Sequence, residues 1–384
     1  MAGLLLAIIY LCFVSLGLPD SLLGSAWPVM HAEINVPVSF AGIISIVIFL
    51  GTILSSLYSG KLLCKFGAGK VTAVSAALTA VGLFGFSVSF SFWHLILFSI
   101  PYGLGAGGVD AILNNYVALH YKAQHMSWLH CMWGLGASVS PYIMSYSLIN
   151  FRWNHGYLAV SVVQIVLTVI IFISLPIWDK GVENGTAGQQ QTKLLTFREI
   201  FAIKGAIPCF ITFFCYCSFE LTTTLWSSSY FVSKWGVSPE DAAGYASMFY
   251  IGITLGRLVS GFLAMKMSDR FLISTGMAIV TVGIAFLFVP HFSVFALLGF
   301  IIIGLGCAPI YPCFIHMTPD VFGKEKSQAM IGVQMAFAYT GFLVMPSLFG
   351  VITEYISISL LPVYQFVLLA VMFVMHELLV RKSK

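Results

Sequence analysis

Three acidic side chains and one basic side chain lie inside long apolar runs of this sequence. They are Asp20, Asp110, Glu220 and Arg257. An ionisable group at membrane depth costs about 2.5–3.5 kcal/mol on insertion scales, so it marks a functional pathway or a buried pair. Burial disfavours the charged form of a carboxyl group. We therefore expect at least one acid to hold a proton for part of a working cycle, or two acids to share a sodium ion.

Asp110 is the first candidate for binding this cation, followed by Asp20 and Glu220. Asp110 follows a glycine-rich stretch, and Asn114 lies four residues further, on the same helical face. An acid and an amide one turn apart suit hydroxyl groups, which both donate and accept hydrogen bonds. Asp20 follows Pro19 in the middle of its apolar run, where proline removes a helical hydrogen bond. The alternatives are a polar cluster that only packs helices at Asp110 and a helix cap at Asp20.

Other polar and aromatic residues are candidates for binding a polar solute beside these acids. Trp226 lies six residues after Glu220. We interpret it either as an aromatic surface on which a sugar ring packs or as an anchor at the membrane–water interface. His130 is either a proton-sharing group or a core histidine with its hydrogen bonds satisfied. The candidate solute-binding set is Asn114, His130, Trp133, Trp226, Tyr311 and Gln334.

The composition places these residues in a membrane protein. Hydrophobic residues make up 59% of the 384 residues and charged residues 8%, with a mean hydropathy of +0.97. Soluble domains carry about 25% charged residues. Because a spanning helix needs about 20 apolar residues, the sequence predicts an all-α membrane protein with twelve transmembrane helices. They are expected near 3–29, 38–63, 69–91, 94–119, 127–150, 156–178, 203–233, 241–266, 271–290, 292–317, 327–351 and 358–380.

The predicted helices form two pseudo-symmetric bundles of six. We expect an N-terminal bundle over 1–178, a linker over 179–202 and a C-terminal bundle over 203–384. All but Arg152, Lys234 and Arg257 of the 18 Lys and Arg residues fall in segments on one side, which predicts cytoplasmic termini and a cytoplasmic linker. The sequon Asn184-Gly185-Thr186 in that linker is then not glycosylated. Short loops indicate a bacterial inner membrane.

The two halves repeat each other at an offset of 201 residues. The stretch Gly103–Asp110 aligns with Gly304–Tyr311. At the same offset, Gly51, Ser59, Gly60 and Lys65 align with Gly252, Ser260, Gly261 and Lys266. A duplicated membrane chain is typical of secondary transporters, in which two halves move about a central site. Tyr311 is the counterpart of Asp110, so we expect its hydroxyl to face the same cavity.

The segment after the second predicted helix resembles the loop signature of the major facilitator superfamily, Gly-x-x-x-Asp-x-x-Gly-x-Arg/Lys. It reads Gly60-Lys61-Leu62-Leu63-Cys64-Lys65-Phe66-Gly67-Ala68-Gly69-Lys70, with Cys64 at the acidic position. Its second copy runs from Gly261 to Asp269-Arg270, with the acid displaced. We assign Lys65, Asp269 and Arg257 to gating or structural roles, with Arg257 in an ion pair or gate contact near the cytoplasmic end of its helix.

Within that superfamily, the sequence is most similar to the fucose–proton symporter family. Gly17-Leu18-Pro19-Asp20 resembles the Asn-Asp-like turn of that family's first helix. Gly105 to Asp110 and Asn114-Asn115 resemble its Gly-x-Gly-x-x-Glu-x-x-x-Asn-Pro motif. Further matches are Cys215-Tyr216, Trp226, Gly256-Arg257 and Ile310-Tyr311-Pro312. The resemblance implies uptake of a sugar or sugar-like polar solute, coupled to a cation, with a proton favoured over sodium.

Two other functions are the alternatives to this one. An exporter or flippase of amphiphilic compounds or drugs by proton antiport has the same fold, but its cavity is expected to be larger and more apolar than the set above. An enzyme is not expected, because the sequence has no His-Glu-x-x-His, Gly-x-Ser-x-Gly or Walker motif.

We expect a monomer in the lipid bilayer, with a small-molecule substrate and without a cofactor, a metal centre or a nucleic-acid partner. Most of the eight cysteines lie in apolar runs and are interpreted as small buried hydrophobes.

Overall fold

A computed structural model describes residues 2–37, 40–183, 195–237, 239–289 and 293–382, and its regular secondary structure is helical over those ranges. The first half contains α1 (Ala2–Asp20), α2 (Leu22–Glu33), α3 (Phe40–Phe66), α4 (Ala68–Ser87), α5 (Phe92–His120), α6 (Ala123–Asn150) and α7 (Trp153–Glu183). The second half contains α8 (Phe197–Ala202), α9 (Ala206–Trp235), α10 (Pro239–Leu263), α11 (Asp269–Leu287), α12 (Ser293–His316), α13 (Thr318–Phe322), α14 (Ser327–Tyr355), a 3₁₀ turn (Ile358–Leu360) and α15 (Leu361–Lys382).

Ten helices in the described ranges are long and apolar enough to cross a membrane. α10 adds a shorter apolar helix, Met248–Leu263. α6 is 28 residues long and contains no Asp, Glu, Lys or Arg, but its His, Ser and Gly residues lower its hydropathy. With α6 and α10, the helices correspond one to one with the twelve predicted segments. Residues 184–194 of the predicted linker, including the sequon, lie outside the described residues.

The first membrane span is built from two helices. α1 ends at Asp20 and α2 begins at Leu22, so Ser21 interrupts a segment that is otherwise helical. Pro19 lies in the last turn of α1, where it has no N–H to donate to the preceding turn. The hydroxyl of Ser21 donates a 2.7 Å hydrogen bond to the carbonyl oxygen of Ala137 on α6. Asp20 therefore lies at a helix break, as the sequence predicts.

The repeat of 201 residues is visible in the positions at which helices begin. α4 and α11 begin 201 residues apart, and so do α5 and α12. Gly67, before α4, has a φ of 80°, which glycine adopts without a steric penalty. Its counterpart Ser268 has a φ of −74°, and its side chain accepts a 3.3 Å hydrogen bond from the backbone N–H of Phe271. The two halves thus begin equivalent helices with different local chemistry.

The helices pack into two compact units. Unit 1 comprises Met1–His120, Leu129–Leu194 and Lys324–Ala336, and unit 2 comprises Tyr121–Trp128, Leu195–Gly323 and Phe337–Lys384. Within unit 1, α4 packs against α5 and α7, and α3 packs against α5. Within unit 2, α12 packs against α10 and α11, and α9 packs against α15.

The start of α14 is held within unit 1 by buried polar side chains. The hydroxyl of Ser327 donates to Oδ1 of Asn115 at 2.6 Å, and Nε2 of Gln328 donates to the hydroxyl oxygen of Ser59 at 2.9 Å. All four residues are buried. Because a buried polar group that loses its partner is costly, these bonds fix the position of this segment on α3 and α5.

Candidate functional site

Asp20 is held by side chains from two other helices of unit 1. Its Oδ2 accepts a 2.8 Å hydrogen bond from Nε1 of Trp133 on α6, and its Oδ1 accepts a 3.5 Å hydrogen bond from the hydroxyl of Tyr102 on α5. Tyr102 is buried and packs edge-on against Phe86. Asp20 itself remains exposed. The carboxylate is therefore anchored by protein donors and still accessible to a proton, a cation or a hydroxyl group.

Two glycines allow α1 and α6 to approach closely enough for this contact. A Cβ atom added to Gly17 on α1 would overlap the carbonyl oxygen of Trp133. A Cβ atom added to Gly136 on α6 would overlap the carbonyl oxygen of Val14. Each glycine thus faces the backbone of the other helix, which is how small residues bring membrane helices together.

Asp110 begins a buried chain of hydrogen bonds that links α5 to α6. Nδ2 of Asn114 donates to Oδ1 of Asp110 at 2.8 Å and to its carbonyl oxygen at 3.0 Å. Oδ1 of Asn114 lies 3.1 Å from Nε2 of His130. An amide oxygen only accepts, so His130 donates from Nε2. All three residues are buried, and this chain connects a carboxyl group to an imidazole through one amide.

The two acids of unit 1 interact with each other through space. Asp110 exerts an electrostatic influence on Asp20, and two carboxylates that are both charged repel each other. A proton or cation bound at one therefore lowers the cost of charge at the other. Phe13 of α1 packs edge-on against His130, with ring centroids 5.4 Å apart. Within unit 1, α1, α5 and α6 thus bring together Asp20, Asp110, Asn114, His130 and Trp133.

Glu220 and Arg257 form a buried ion pair in unit 2. Nη2 of Arg257 on α10 lies 3.3 Å from Oε1 of Glu220 on α9, and the side chains are 5% and 13% exposed respectively. Arg257 also interacts electrostatically with Tyr216 and Tyr311, whose rings are 6.0 Å apart. The hydroxyl of Tyr216 donates to the carbonyl oxygen of Cys307 at 3.0 Å. The charge of Glu220 is therefore balanced by a base, and Tyr311 lies in the same cluster.

Trp226 makes its hydrogen bond away from Glu220. Its Nε1 donates to the carbonyl oxygen of Pro346 at 3.0 Å, and its ring packs edge-on against Phe349. This indole N–H is engaged within unit 2, whereas that of Trp133 binds a carboxylate of unit 1. Gln334, the remaining candidate of the solute-binding set, is fully buried on α14 in unit 1.

The two candidates of the loop signature have different surroundings. Lys65 is exposed in the last turn of α3, with its Nζ 5.1 Å from the ring centroid of Phe66. Oδ2 of Asp269, in the first turn of α11, lies 2.6 Å from Nδ1 of His316, within hydrogen-bond distance. His316 is the repeat counterpart of Asn115, and this relation is the sequence signal that could have identified it.

The described part of the chain contains no cluster of three or more His, Cys, Asp or Glu side chains with metal-binding geometry. A cavity of about 430 Å³ opens in unit 1 between α6 and α7. Its wall is mostly apolar and contains none of the predicted site residues; it includes Tyr142, Tyr146, Phe151 and His155. This cavity is therefore separate from the polar clusters.

Comparison with known proteins identifies the family. The family model of the Major Facilitator Superfamily matches residues 9–233 and again residues 208–384. The chain belongs to the Major Facilitator Superfamily. Since members of this superfamily are transporters and not enzymes, the chain is a multi-pass membrane transporter of a small-molecule substrate.

The matching curated relatives are distant but cover most of the chain. The glucose/mannose transporter GlcP of Bacillus subtilis (strain 168) is 22% identical over 332 residues, covering 82% of this chain and 80% of the relative. Bypass of stop codon protein 6 of Saccharomyces cerevisiae is 23% identical over 390 residues, covering 93% of this chain and 78% of the relative.

Solved structures of the superfamily share this fold. The E. coli fucose:proton symporter FucP superposes with a TM-score of 0.78 at 14% identity, covering 98% of this chain and 97% of that one. The proton:xylose symporter XylE superposes with a TM-score of 0.80 at 10% identity, covering 99% of this chain and 95% of that one. The predicted fold class, an all-α membrane protein with twelve transmembrane helices in two six-helix bundles, is confirmed.

Sequence reasoning does not identify Tyr102 as a partner of Asp20. The tyrosine directly precedes the repeated stretch Gly103–Asp110, and this flanking position is the one signal that could have drawn attention to it. Gln365 is also missed. Its Nε2 donates to the hydroxyl oxygen of Thr223 at 2.9 Å and joins α15 to α9.

Proposed function

We propose that this Major Facilitator Superfamily member takes up a sugar or a similar polyhydroxylated solute together with a cation, with a proton as the first choice, by alternating access. The observation that carries the proposal is the setting of Asp20. Its carboxylate is anchored by Trp133 and Tyr102, is exposed, and interacts electrostatically with Asp110. A solute rich in hydroxyl groups and a cation are the ligands that suit such a pair of acids.

The chemistry of the unit 1 cluster favours a sugar over an amphiphile. Its members are carboxyl, amide, imidazole and indole groups, and Tyr102 adds a phenol beside Asp20. Together they offer both donors and acceptors to hydroxyl groups. The half-buried ring of Trp133 adds an aromatic face beside Asp20. An exporter of amphiphilic compounds is expected to have a mainly apolar site instead. The relatives support this choice, because GlcP is named for glucose and mannose, and FucP and XylE for fucose and xylose.

We assign the coupling role to Asp110 and Asp20 before Glu220. Glu220 is paired with Arg257, so its charge is compensated without a bound cation. Asp110 is buried and hydrogen-bonded to Asn114. A proton on this carboxyl group removes the cost of carrying a charge through a closed, dry state. Solute and proton then move together when the halves reorient.

Location and direction are part of the proposal. The excess of Lys and Arg on one side favours cytoplasmic termini, and the short loops favour a bacterial inner membrane. The natural proton gradient across such a membrane drives protons inward, which corresponds to uptake of the solute.

The test is transport by the purified chain in proteoliposomes. A panel of radiolabelled monosaccharides, beginning with glucose, mannose, fucose and xylose, is offered under an imposed pH gradient or an imposed sodium gradient. The expected result is accumulation of at least one sugar above its external concentration, driven by the pH gradient and abolished by a protonophore. Accumulation with sodium alone would change the coupling ion. Absence of both sugar uptake and sugar exchange, in vesicles that transport an amphiphilic dye, would overturn the proposal.

A further inference from the structure

His316, at the end of α12, faces a hydrogen-bond acceptor with each of its ring nitrogens. Nδ1 lies 2.6 Å from Oδ2 of Asp269, and Nε2 lies 3.3 Å from the carbonyl oxygen of Tyr121. A carbonyl oxygen only accepts, so Nε2 carries a hydrogen. The contact between Nδ1 and the Asp269 oxygen then needs a second proton, located on either atom, because a neutral imidazole has a single N–H. The pair therefore holds one proton more than a neutral histidine beside a carboxylate.

The surroundings of the ring favour this extra proton. The side chains of His316 and Asp269 are 16% and 12% exposed. This burial disfavours a charged imidazole, but it also leaves the attraction between the ring and the carboxylate only partly screened by water. His316 occupies the last turn of α12, where the helix dipole favours a cation. Asp320 of α13 adds a second negative charge nearby. Other titratable or charged groups at this end of unit 2 are Cys313, which interacts with Asp269, then Lys266, Arg270, Lys122 and His125, and, on α15, His376 and Glu377, of which His376 interacts with Arg270.

The extra proton on the His316–Asp269 pair maintains a hydrogen bond between the segment Tyr121–Trp128 and the rest of unit 2. This segment, which joins α5 to α6, packs within unit 2. Trp128 lies against Gly261 and packs edge-on against Phe262, with ring centroids 5.6 Å apart. Loss of the proton leaves one N–H for two acceptors. The short contact to the Asp269 carboxylate is the stronger one, so the remaining N–H would stay on Nδ1. Nε2 would then present a lone pair to the Tyr121 carbonyl oxygen, and the hydrogen bond to Tyr121 would be lost.

In the first half of the repeat, the residue at the position equivalent to His316 makes its hydrogen bond without a titratable group. Asn115, 201 residues before His316, accepts a hydrogen bond from Ser327 at the start of α14. Neither an amide nor a hydroxyl changes its protonation between pH 5 and 9. The hydrogen bonds of Asn115 and His316 therefore occupy equivalent positions in the repeat. Of these two, only the bond made by His316 is sensitive to pH.

We infer that His316 and Asp269 form a proton-binding site, distinct from the intramembrane acids, whose occupancy holds the segment Tyr121–Trp128 on unit 2. The bond to Tyr121 is present when the ring of His316 shares the extra proton, and it is lost when a rising pH removes that proton. This inference does not depend on the identity of the transported solute.

Hydrogen–deuterium exchange of the purified full-length chain tests this site without a transport assay. Exchange of a peptide covering 121–128, corrected for intrinsic rates, is measured from pH 5 to 9. We expect its protection to fall about ten-fold with rising pH in a one-proton transition, the change expected for one hydrogen bond to a charged group. The peptide covering 327–336, held by Asn115, serves as the internal control and should show no such transition.

Three variants attribute the transition to its source. His316→Asn, which places the repeat counterpart's residue at this position, should abolish it. Asp269→Asn should also abolish it, because an asparagine amide can donate to Nδ1 and the neutral ring then keeps its N–H on Nε2 for the Tyr121 carbonyl. His125→Gln removes the histidine that lies within the segment Tyr121–Trp128 itself. This variant should leave the transition unchanged. Equal pH dependence of the two peptides in the wild type, or a transition that persists in His316→Asn, would overturn the inference. If His316→Asn fails to fold, Asp269→Asn decides, and a transition that persists in that variant would overturn the inference.

Discussion

Nε1 of Trp133 lies 2.8 Å from Oδ2 of Asp20, although the two residues are 113 positions apart in the sequence. The contact joins the break in the first span to the middle of α6. It depends on the reciprocal approach of Gly17 and Gly136 to the backbone of the opposite helix. The orientation of the accessible acid in unit 1 is therefore set by how closely two helices pack.

Replacing Trp133 with phenylalanine removes the N–H and retains an aromatic ring. A hydrogen bond to a charged group contributes about 1.5–3 kcal/mol, so we expect solute affinity to fall by about ten-fold or more. Isothermal titration calorimetry with the transported sugar measures the change. Trp93→Phe is the matched control, because Trp93 is 76% exposed and should leave affinity unchanged. Equal affinities for Trp133→Phe and the wild type would contradict a role for this indole.

Adding a methyl group at Gly17 or Gly136 should push α1 and α6 apart. Overpacking in a filled interface costs about 1–3 kcal/mol, and here the new Cβ would meet a backbone carbonyl that cannot rotate away. We expect Gly17→Ala and Gly136→Ala to lower the unfolding temperature and weaken solute binding together. Gly24→Ala is the control, because a Cβ at Gly24 has no neighbour within 4 Å. Unchanged unfolding temperatures for the first two variants would show that the helices can separate without cost.

Local patterns predict the parts of this molecule that depend on sequence spacing. Apolar runs predict the helices, and the 201-residue repeat predicts that equivalent helices begin at equivalent positions. The four-residue spacing of Asp110 and Asn114 predicts that they share a helical face, and in the structure a hydrogen bond joins the two side chains.

Contacts between helices could not be predicted in the same way. Whether Asp20 meets Trp133 depends on the rotation of α1 and α6, which sequence spacing does not determine. Trp226 shows the same limit, because its indole binds the Pro346 carbonyl on α14 rather than lying beside Glu220. His316 has no sequence motif of its own, and its two acceptors come from distant segments.

The ion pair of Glu220 and Arg257 should be needed as a pair. Removing one partner of a buried pair leaves an uncompensated charge and typically costs 3–5 kcal/mol. We expect Arg257→Met alone to lower thermal stability strongly, and Glu220→Gln combined with Arg257→Met to recover much of the loss. Thermal unfolding of the single and double variants measures the coupling. Additive losses would show that the two side chains act independently.

Asp110→Asn should separate solute movement from the proton gradient. An asparagine at 110 retains an oxygen that can accept the hydrogen bond from Nδ2 of Asn114, so the local fold is preserved. It cannot take up or release a proton. We therefore expect uphill accumulation to be lost in proteoliposomes while exchange of labelled for unlabelled sugar continues.

The control for this variant is an acid that lies outside the site. Glu354 is exposed near the end of α14, and Glu354→Gln makes the same change from acid to amide there, so its accumulation should equal that of the wild type. Undiminished accumulation by Asp110→Asn would remove Asp110 from the coupling step and leave Asp20 as the next carboxyl group to test. Loss of both accumulation and exchange would mean instead that the charge at position 110 is needed to bind the solute.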